Sequence, residues 1–257
     1  MTSEDAVSDQ PVLVERRGPL TVVTLNRPHA ANSLDGPTMT GIGRALAEAE
    51  ADDEVRALVL TGAGEKIFCA GMDLKAFASG GLEVDGPGLD VLTARVYPKP
   101  VVAAVNGTAV GGGLELALAC DLVVASETAR FGLPEVSRGL IAAGGGTRLP
   151  RRIPLAYALE LGLTGELVDS ARIREMGLVN RVVPAAEVLP TALALAERIA
   201  ANGPLAVRVT KELMYGEIGD PDREALAAAV KPVFDSHDAA EGARAFAERR
   251  TPHWTGR

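Results

Sequence analysis

Glu115 is the residue whose type and setting in this chain best suit chemistry. It lies in an apolar helical pattern that follows three glycines at positions 111–113, and an apolar run over residues 101–105 precedes that turn. Glycines let a bound group approach the backbone closely, and the free N–H groups at a helix start carry positive partial charge. A carboxylate in this setting suits a general base that acts on a substrate with a developing oxyanion.

The three glycines also fit two other roles. They can allow close packing of a helix on a strand, or they can cradle a phosphate. The turn has neither the G-x-x-x-x-G-K-[ST] pattern nor the G-x-G-x-x-G pattern of nucleotide sites. Taken alone, the stretch leaves an active site and a packing role open.

Composition restricts the classes of partner and site. The formal net charge of −8 argues against nucleic acid or an anionic membrane as the main partner, although a local basic patch can still hold a small anionic ligand. Cys69 and Cys120 are too few for a disulfide framework, and neither they nor the three histidines have the spacing of metal ligands. No apolar run reaches the roughly 18 residues of a membrane span, and no signal peptide is recognised. We therefore expect a reduced, cytoplasmic setting and no metal site.

Short β-branched runs alternate with helical patterns along the first part of the chain, and helical patterns dominate the rest. This order predicts an α/β fold with a helical C-terminal part. We expect a flexible tail over residues 1–10, a core over 11–200 and a C-terminal helical module over 201–257. The predicted strands cover residues 12–17, 20–25, 55–61, 101–105, 121–125 and 178–183. The predicted helices include one that ends near residue 51, one over 89–97, the one that carries Glu115, and those over 187–201, 204–216, 223–235 and 239–249.

Two connecting segments carry predictions of their own. Residues 80–88 are rich in glycine and are expected to form a mobile loop. Residues 131–135 are expected to be extended, because Pro134 disfavours helix at Leu133.

Six motifs occur in a fixed order along nearly the whole chain, from about residue 12 to residue 250. They read L-N-R-P at residues 25–28, F-C-A-G-M-D-L-K at 68–75, A-V-N-G-x-A-x-G-G-G-x-E at 104–115, F-G-x-P-E at 131–135, G-G-G-T at 144–147 and E-G-x-x-A-F-x-E-R-R at 241–250. One such motif alone is weak, but the ordered set resembles the enoyl-CoA hydratase/isomerase (crotonase) superfamily.

The resemblance implies a crotonase-like spiral of ββα repeats with a C-terminal α-helical trimerisation module. It also implies self-association, as a trimer or a dimer of trimers. The implied substrate is an acyl-CoA thioester, so coenzyme A is part of the substrate and no separate cofactor is expected. By position, the backbone N–H groups of Met72 and Gly112 correspond to the oxyanion hole of the family, and both lie at predicted helix starts.

Hydratases of this family carry two glutamates, and Glu115 and Glu135 fill both positions here. The resemblance therefore implies reversible syn addition of water to a 2-enoyl-CoA, as in fatty-acid β-oxidation. We assign the role of base to Glu115, because a helix start favours its ionised form. Glu135, near the apolar Phe131 and Leu133, is assigned the role of proton donor. The two roles can be shared, since coupled carboxylates titrate as a pair, and Glu135 taken alone also fits a helix cap or a surface acid.

Other activities of the same family stay open at this point. An enoyl-CoA isomerase commonly needs one acid at the later position, so the pair of glutamates disfavours it. Another acyl-CoA lyase remains possible on the same oxyanion hole. An RNA-binding relative needs a basic face, which the acidic balance disfavours. Acyl-chain length and class do not follow from the sequence.

The resemblance assigns further residues to the substrate. Segment 70–75 is expected to line the path of the adenine and pantetheine groups, and Arg27, His29 and Ala30 are expected neighbours of the nucleotide. Asp73 is also expected to cap the short helix that follows it, while Lys75 fits either a phosphate or pantetheine contact or a solvated helix lysine. The residues assigned to substrate or CoA binding are Arg27, Ala30, Ala70, Met72, Asp73, Leu74, Lys75, Gly112 and Ala143.

The chain departs from the family pattern after Glu135. Hydratases often show G-x-I-P-G-A-G-G-T, whereas Ala142 stands here in place of the proline and Ala143 in place of the following glycine. We expect the N–H group of Ala143 to help position water. The added methyl group is expected to affect rate and substrate preference more than reaction class.

Overall fold

The computed structural model describes residues 10–93, 96–138, 140–218, 232, 236–238, 241, 245, 248 and 250–257. The expected flexible tail and the helices predicted over 223–235 and 239–249 lie for the most part outside these residues. They stay predictions, as does the division into a core and a C-terminal module.

Ten strands form two sheets within the described part of the chain. In chain order they are β1 (Val12–Arg17), β2 (Leu20–Leu25), β3 (Ala57–Gly62), β4 (Ile67–Cys69), β5 (Val101–Val105), β6 (Thr108–Val110), β7 (Leu122–Ser126), β8 (Arg130–Gly132), β9 (Val168–Asp169) and β10 (Arg181–Val183). The larger sheet has the order β1-β2-β3-β5-β7-β10, and the smaller has the order β4-β6-β8-β9. The predicted hairpin of β1 and β2 is confirmed, and the other pairs of the larger sheet are parallel.

Helices connect the strands and cover the sheets. They are α1 (Gly36–Ala51), α2 (Leu74–Ala78), α3 (Asp90–Thr93), α4 (Gly112–Ala119), α5 (Leu155–Thr164), α6 (Ser170–Glu175), α7 (Val188–Ala200) and α8 (Pro204–Glu217). Four short 3₁₀ helices lie at Pro28–Ala30, Pro134–Arg138, Gly146–Arg151 and Ala185–Glu187. Among the described residues, no helix combines the length and the apolar character needed to cross a membrane.

The chain repeats one path through these elements. A strand of the larger sheet is followed by a strand of the smaller sheet and then by a helix, in the units β3-β4-α2, β5-β6-α4 and β7-β8-α5. This repetition confirms the predicted α/β spiral of ββα turns. It also places the ends of β4, β6 and β8 next to one another, because these three strands are parallel neighbours.

The larger sheet is buried on both faces, which explains its continuous apolar strands. Successive side chains of a strand point to opposite faces, so the odd-numbered residues of β5 join one hydrophobic cluster and the even-numbered residues join another. Helix α7 covers the second face with small side chains spaced four residues apart. These are Val188, Ala192, Ala196 and Ala200. The abundance of alanine therefore serves close packing of a helix on the sheet.

Some local predictions need correction. Strands β6 and β9 are not predicted, because three and two residues are too few to show an alternating pattern. The glycine turn before Glu115 therefore follows β6 instead of β5. Glu135 lies in a 3₁₀ helix, although residues 131–132 before it are in strand β8 as expected. Helix α3 is shorter than the helix predicted over 89–97.

The loop over residues 80–88 packs on α1 instead of projecting freely. The N–H group of Gly36 donates to the carbonyl of Gly81 at 3.0 Å. One face of α1 carries glycine where the loop approaches, since a Cβ at Gly43 would lie 2.2 Å from the carbonyl oxygen of Pro87. Backbone therefore rests on backbone along this contact.

Helix α8 is tied to the core by a polar contact. The Lys211 ammonium donates to Asp121 Oδ2 at 2.7 Å and to the carbonyl of Lys99 at 2.8 Å, and the Tyr215 hydroxyl donates to Asp121 Oδ1 at 3.0 Å. The side chains of Lys211 and Asp121 are only 10% and 17% exposed. Burial lowers the pKa of Lys211, and the nearby carboxylate of Asp121 opposes that shift.

Replacing Lys211 tests how strongly this contact contributes to the fold. We expect Lys211→Met to lower the free energy of unfolding by about 3 kcal/mol, because it leaves the Asp121 carboxylate buried without its cation. Arg172→Met is the matched control, since the Arg172–Glu160 pair is 37% and 47% exposed and such pairs contribute under about 1 kcal/mol. Urea unfolding measures both values. Equal losses for the two variants would contradict a structural role of the buried pair.

Candidate active site

One cavity brings most of the predicted site residues together. Its volume is about 380 Å³, within the usual range for small-molecule sites. The carboxylates of Glu115 and Glu135 line it, together with the backbone of residues 71–72 and 111–112. Apolar side chains from several elements form the rest of its wall. They are Leu34, Met39, Leu74, Leu82, Leu89, Leu116, Pro134, Leu140 and Ile141.

Two turns meet at the floor of this cavity. They follow β4 and β6, which are parallel neighbours and therefore end at the same edge of the smaller sheet. Gly71 has a positive φ of 84°, and a Cβ there would lie 2.8 Å from the backbone nitrogen of Gly112. Only glycine allows this approach. It places the backbones of residues 72 and 112 side by side.

The N–H group of Met72 points away from its neighbouring segment. Leu34 forms an isolated parallel bridge with Met72. The two hydrogen bonds of this bridge run from Leu34 N–H to the Gly71 carbonyl at 2.8 Å and from Asp73 N–H to the Leu34 carbonyl at 3.0 Å. The bridge thus uses the groups on either side of Met72 and does not use the N–H group of Met72 itself.

Each of the three glycines before Glu115 has a different role. Gly111 precedes α4 with a positive φ of 55°. Gly112 is the first residue of α4, so its N–H group has no acceptor within the helix. At Gly113 a Cβ would lie 2.1 Å from the carbonyl oxygen of Cys69. The packing role that the sequence left open is therefore present at Gly113, and Gly112 places a backbone N–H group at the helix start in the same turn.

Because of the close contact at Gly113, alanine substitutions at Gly113 and Gly112 are expected to lower the free energy of unfolding by different amounts. We expect Gly113→Ala to lower the free energy of unfolding by about 1–3 kcal/mol, because the added methyl group forces α4 away from β4. Gly112→Ala is the matched variant, since its Cβ would meet its nearest neighbours at 3.3 Å and small shifts can relieve that contact. Chemical denaturation of both variants tests this order of stability. A Gly113→Ala protein as stable as Gly112→Ala would contradict the packing role.

Glu115 is held in place by one hydrogen bond from the glycine-rich segment opposite. Its side chain is largely buried, and the whole residue is 8% exposed. The N–H group of Gly146 donates to its Oε1 at 2.9 Å. Gly146 is not among the predicted site residues, although it lies in the G-G-G-T motif at residues 144–147.

The expectation for the Ala143 N–H group needs correction. This group donates to the carbonyl of Ile141 at 2.9 Å, so it is engaged within its own turn instead of being directed at a water molecule. Ala143 nevertheless lines the cavity. The segment therefore contacts Glu115 through the Gly146 N–H group, three residues further along.

Glu135 approaches the same turn from the other side. It lies in the first turn of the 3₁₀ helix Pro134–Arg138, directly after β8. A Cβ at Gly111 would lie 3.0 Å from Glu135 Oε1, so this carboxylate lies over the start of α4. Phe131 and Leu133 are buried beside it, as expected. Both carboxylates therefore flank the helix start that carries the Gly112 N–H group.

The predicted substrate contacts divide into two groups. Ala70, Met72, Leu74, Gly112 and Ala143 line the cavity, whereas Arg27, Ala30, Asp73 and Lys75 do not. Lys75 is exposed, and Ala30 is half-buried in a 3₁₀ helix. A role of these four residues in binding CoA stays a prediction.

Asp73 caps α2, as the sequence predicts. Its Oδ1 accepts hydrogen bonds from the N–H groups of Lys75 and Ala76, each at 3.1 Å. The hydrogen bond from Ala76 lowers the pKa of Asp73 below its usual value, burial opposes this shift, and the guanidinium of Arg27 adds to it. The carboxylate is therefore ionised at neutral pH.

Neither of the two cysteines lines the cavity. Cys69 and Cys120 are buried free thiols, and burial raises the pKa of each to about 12. Both are therefore protonated and serve packing. In the described ranges, no group of three or more histidine, cysteine, aspartate or glutamate residues is arranged to hold a metal ion.

Comparisons with known proteins agree with this geometry. The family model described as enoyl-CoA hydratase/isomerase matches residues 15–257. A carnitinyl-CoA dehydratase of Salmonella typhi is 41% identical over 254 residues, covering 94% of this chain and 97% of that protein. The solved enoyl-CoA hydratase of Mycobacterium tuberculosis is 48% identical with a TM-score of 0.91, covering 97% of this chain and 100% of that one. The solved carnitinyl-CoA hydratase of Mycobacterium avium is 47% identical with a TM-score of 0.78, covering 96% and 99%.

These similarities extend over nearly the whole chain, in sequence and in fold. The chain therefore belongs to the enoyl-CoA hydratase/isomerase (crotonase) family of CoA-thioester enzymes.

Proposed function

We propose that this protein catalyses the reversible hydration of a 2-enoyl-CoA thioester to a 3-hydroxyacyl-CoA. The observation that carries the proposal is the convergence of Glu115, Glu135 and the turns of Met72 and Gly112 on one cavity with an apolar wall. Two carboxylates supply an acid and a base, and two backbone N–H groups supply an oxyanion hole.

In the proposed reaction, water adds across the α,β double bond. Glu115 accepts a proton from water while the water oxygen bonds to the β-carbon. The π electrons move toward the thioester carbonyl, whose oxygen gains negative charge, and Glu135 gives its proton to the α-carbon. The proton balance is restored when the two glutamates exchange a proton with solvent. Dehydration is the same path in reverse.

The oxyanion hole lowers the barrier because its donors are already in place. The N–H groups of Met72 and Gly112 are fixed by the contact of two turns, so they need no reorganisation as charge develops. One such donor contributes about 2.7–4 kcal/mol in comparable sites. The bond from the Gly146 N–H group to Glu115 Oε1 fixes the orientation of the base in the same way.

The proposal places coenzyme A only in the substrate. The pantetheine arm passes along segment 70–75, where Ala70, Met72 and Leu74 line the cavity. Leu74 and Lys75 are exposed beside it, so they remain accessible to the arm and the nucleotide. A net charge of −8 is consistent with a small-molecule substrate and disfavours nucleic acid or an anionic membrane as a partner.

The proposal also includes self-association, as a trimer or a dimer of trimers. Helix α8 supports it, since no residue of this helix is fully buried. Met214 and Ile218 are 66% and 49% exposed. A second protein surface would remove this apolar area from water.

Substitution of the two glutamates tests the proposed chemistry. Glu115→Gln and Glu135→Gln are each expected to lower kcat by about 10²–10⁴, because each removes one proton-transfer group while keeping the shape of the side chain. Binding of the CoA ester is expected to stay close to that of the wild type. Steady-state kinetics with an enoyl-CoA measures the loss, and Glu160→Gln on the surface is the control. Near-normal turnover of either variant would refute the role of that glutamate.

A second candidate substrate comes from the names of similar proteins. Several of them are called carnitinyl-CoA dehydratase or hydratase, and a carnitinyl group carries a trimethylammonium cation. Proteins commonly bind such cations with aromatic rings. Of the described residues that line this cavity, none is aromatic, and the carboxylates among them are those of Glu115 and Glu135. The lining therefore favours an uncharged, apolar acyl group.

A pair of matched substrates tests this preference. We expect crotonyl-CoA to be hydrated with a kcat/KM at least about tenfold higher than its 4-trimethylammonio analogue, because the cation finds no aromatic partner worth about 1–2 kcal/mol. The loss of the enoyl-thioester absorbance gives the rates. A gain in mass of one water molecule identifies hydration, whereas an isomerase leaves the mass unchanged. A preference for the cationic analogue would assign the chain to carnitinyl-CoA chemistry.

A further inference from the structure

The guanidinium of Arg27 lies at the centre of a cluster behind the Met72 turn. Its Nη1 donates to the Ser33 carbonyl at 2.7 Å, and both Nη atoms lie 3.1 Å from Asp73 Oδ2. Its Nη2 also lies 3.0 Å from Asp35 Oδ2. The side chains of Arg27, Asp35 and Asp73 are 18%, 17% and 14% exposed. We call these four residues the Arg27 cluster.

The cluster joins the starts of two helices. Asp35 is the N-cap of α1 and accepts a hydrogen bond from the N–H group of Thr38 at 2.9 Å. Asp73 is the N-cap of α2. One planar guanidinium therefore holds two capping carboxylates, and charge-assisted bonds of this kind combine strength with defined geometry.

The cluster also encloses the bridge that orients Met72. Asp73 follows Met72 directly, and Leu34 lies between Ser33 and Asp35 in the chain. Both backbone hydrogen bonds of the Leu34–Met72 bridge are thus flanked in the chain by Ser33, Asp35 and Asp73, all of which Arg27 contacts. A displacement of Asp73 would move the peptide unit next to the Met72 N–H group.

The conformation before Leu34 requires such support. Ala31 and Asn32 both have positive φ values, 55° and 50°, and such residues cost on the order of 1–3 kcal/mol each. The backbone N–H of Arg27 donates to Asn32 Oδ1 at 3.0 Å, and its side chain binds the Ser33 carbonyl beyond the two strained residues. Arg27 therefore contacts the C-terminal end of this segment through both its backbone and its side chain.

We infer that Arg27 is a positioning residue, which acts through Asp73 to fix the Met72 N–H group as an oxyanion donor. This inference rests on the proposed function and gives Arg27 a role other than the predicted contact with CoA. The guanidinium is engaged by the protein's own carboxylates, and the side chain does not line the cavity. We expect Arg27 to affect the stabilisation of charge in the transition state and not the binding of the CoA moiety.

Kinetic and binding measurements separate these two roles. We expect Arg27→Gln to lower kcat for crotonyl-CoA by about 10- to 100-fold, less than the 10²–10³ that follows removal of an oxyanion donor. KM and the Kd of free CoA are expected to stay within about twofold of the wild type, as for loss of an interaction made only in the transition state. We expect the kcat of Arg27→Lys to lie between those of the wild type and Arg27→Gln, because an ammonium keeps the charge but lacks the planar fork of the guanidinium.

A spectroscopic readout makes the test independent of turnover. Acetoacetyl-CoA forms an enolate with its own ultraviolet absorbance, and an oxyanion hole raises the fraction of enolate in the bound ligand. We expect this fraction to fall in Arg27→Gln and to fall less in Ser33→Ala, which removes only the Ser33 hydroxyl bonded to Asp73 Oδ2 at 3.1 Å. Ser33→Ala keeps the ion pairs and serves as the test if Arg27→Gln does not fold. Arg16→Gln, in an exposed Arg–Asp pair, is the control.

The outcomes distinguish this inference from the proposed function. A weaker Kd for CoA with unchanged kcat and unchanged enolate fraction would show a nucleotide contact and overturn the inference. Unchanged values in all three measurements would overturn it as well. A wild-type protein that forms the enolate but hydrates no enoyl-CoA would refute the proposed function. The inference would then stand if the enolate fraction still falls in the Arg27 variant.

Discussion

The close contact between the turn at Gly71 and the start of α4 is the constraint on which the rest of this site depends. Two N–H groups can serve one oxygen atom only if their backbones lie within a few ångströms of each other. That distance leaves no room for a side chain at Gly71, where a Cβ would lie 2.8 Å from the Gly112 nitrogen. The parallel pairing of β4 and β6 brings the two turns to the same edge, and the carboxylates then approach them from α4 and from the segment after β8.

The same constraint explains why the surrounding elements are so rich in small residues. Gly113 allows α4 to contact the end of β4, and the alanines of α7 bring that helix close to the opposite face of the larger sheet. Protein interiors are close-packed, so a displacement of one layer is passed to the next. The position of the cavity floor is thus determined by packing well outside the cavity.

Much of the fold was predictable from the sequence because its signals are local. The hairpin of β1 and β2, the long helices α1, α7 and α8, and the buried strands β3, β5 and β7 all have clear patterns and turn residues. The short strands β6 and β9 were not predictable, since hydrogen bonds to distant neighbours define them and no alternation is visible in two or three residues. The ordered motifs brought Glu115 and Glu135 together, although the sequence alone gives no distance between them.

The errors at the site concern backbone groups and partners distant in the chain. The sequence predicted that the Ala143 N–H group positions water, but it cannot show which N–H group of residues 143–146 points toward Glu115, because that depends on the turn they adopt. Likewise, the resemblance placed Arg27 among the residues that bind CoA, and this stays a prediction. The carboxylates it contacts, Asp35 and Asp73, lie in two segments far apart in the chain, and only the folded chain shows that they are neighbours.

The packing of loop 80–88 on α1 affects how the cavity of this protein can change over evolutionary time. Leu82 and Leu89, which line the apolar wall, lie within or next to a segment that rests on α1 through backbone contacts. A change of these two side chains would alter the volume of the cavity at positions distant in the chain from Gly71, Gly112 and the two glutamates. The size of the apolar group that fits the cavity can therefore change without a substitution in the two turns of its floor.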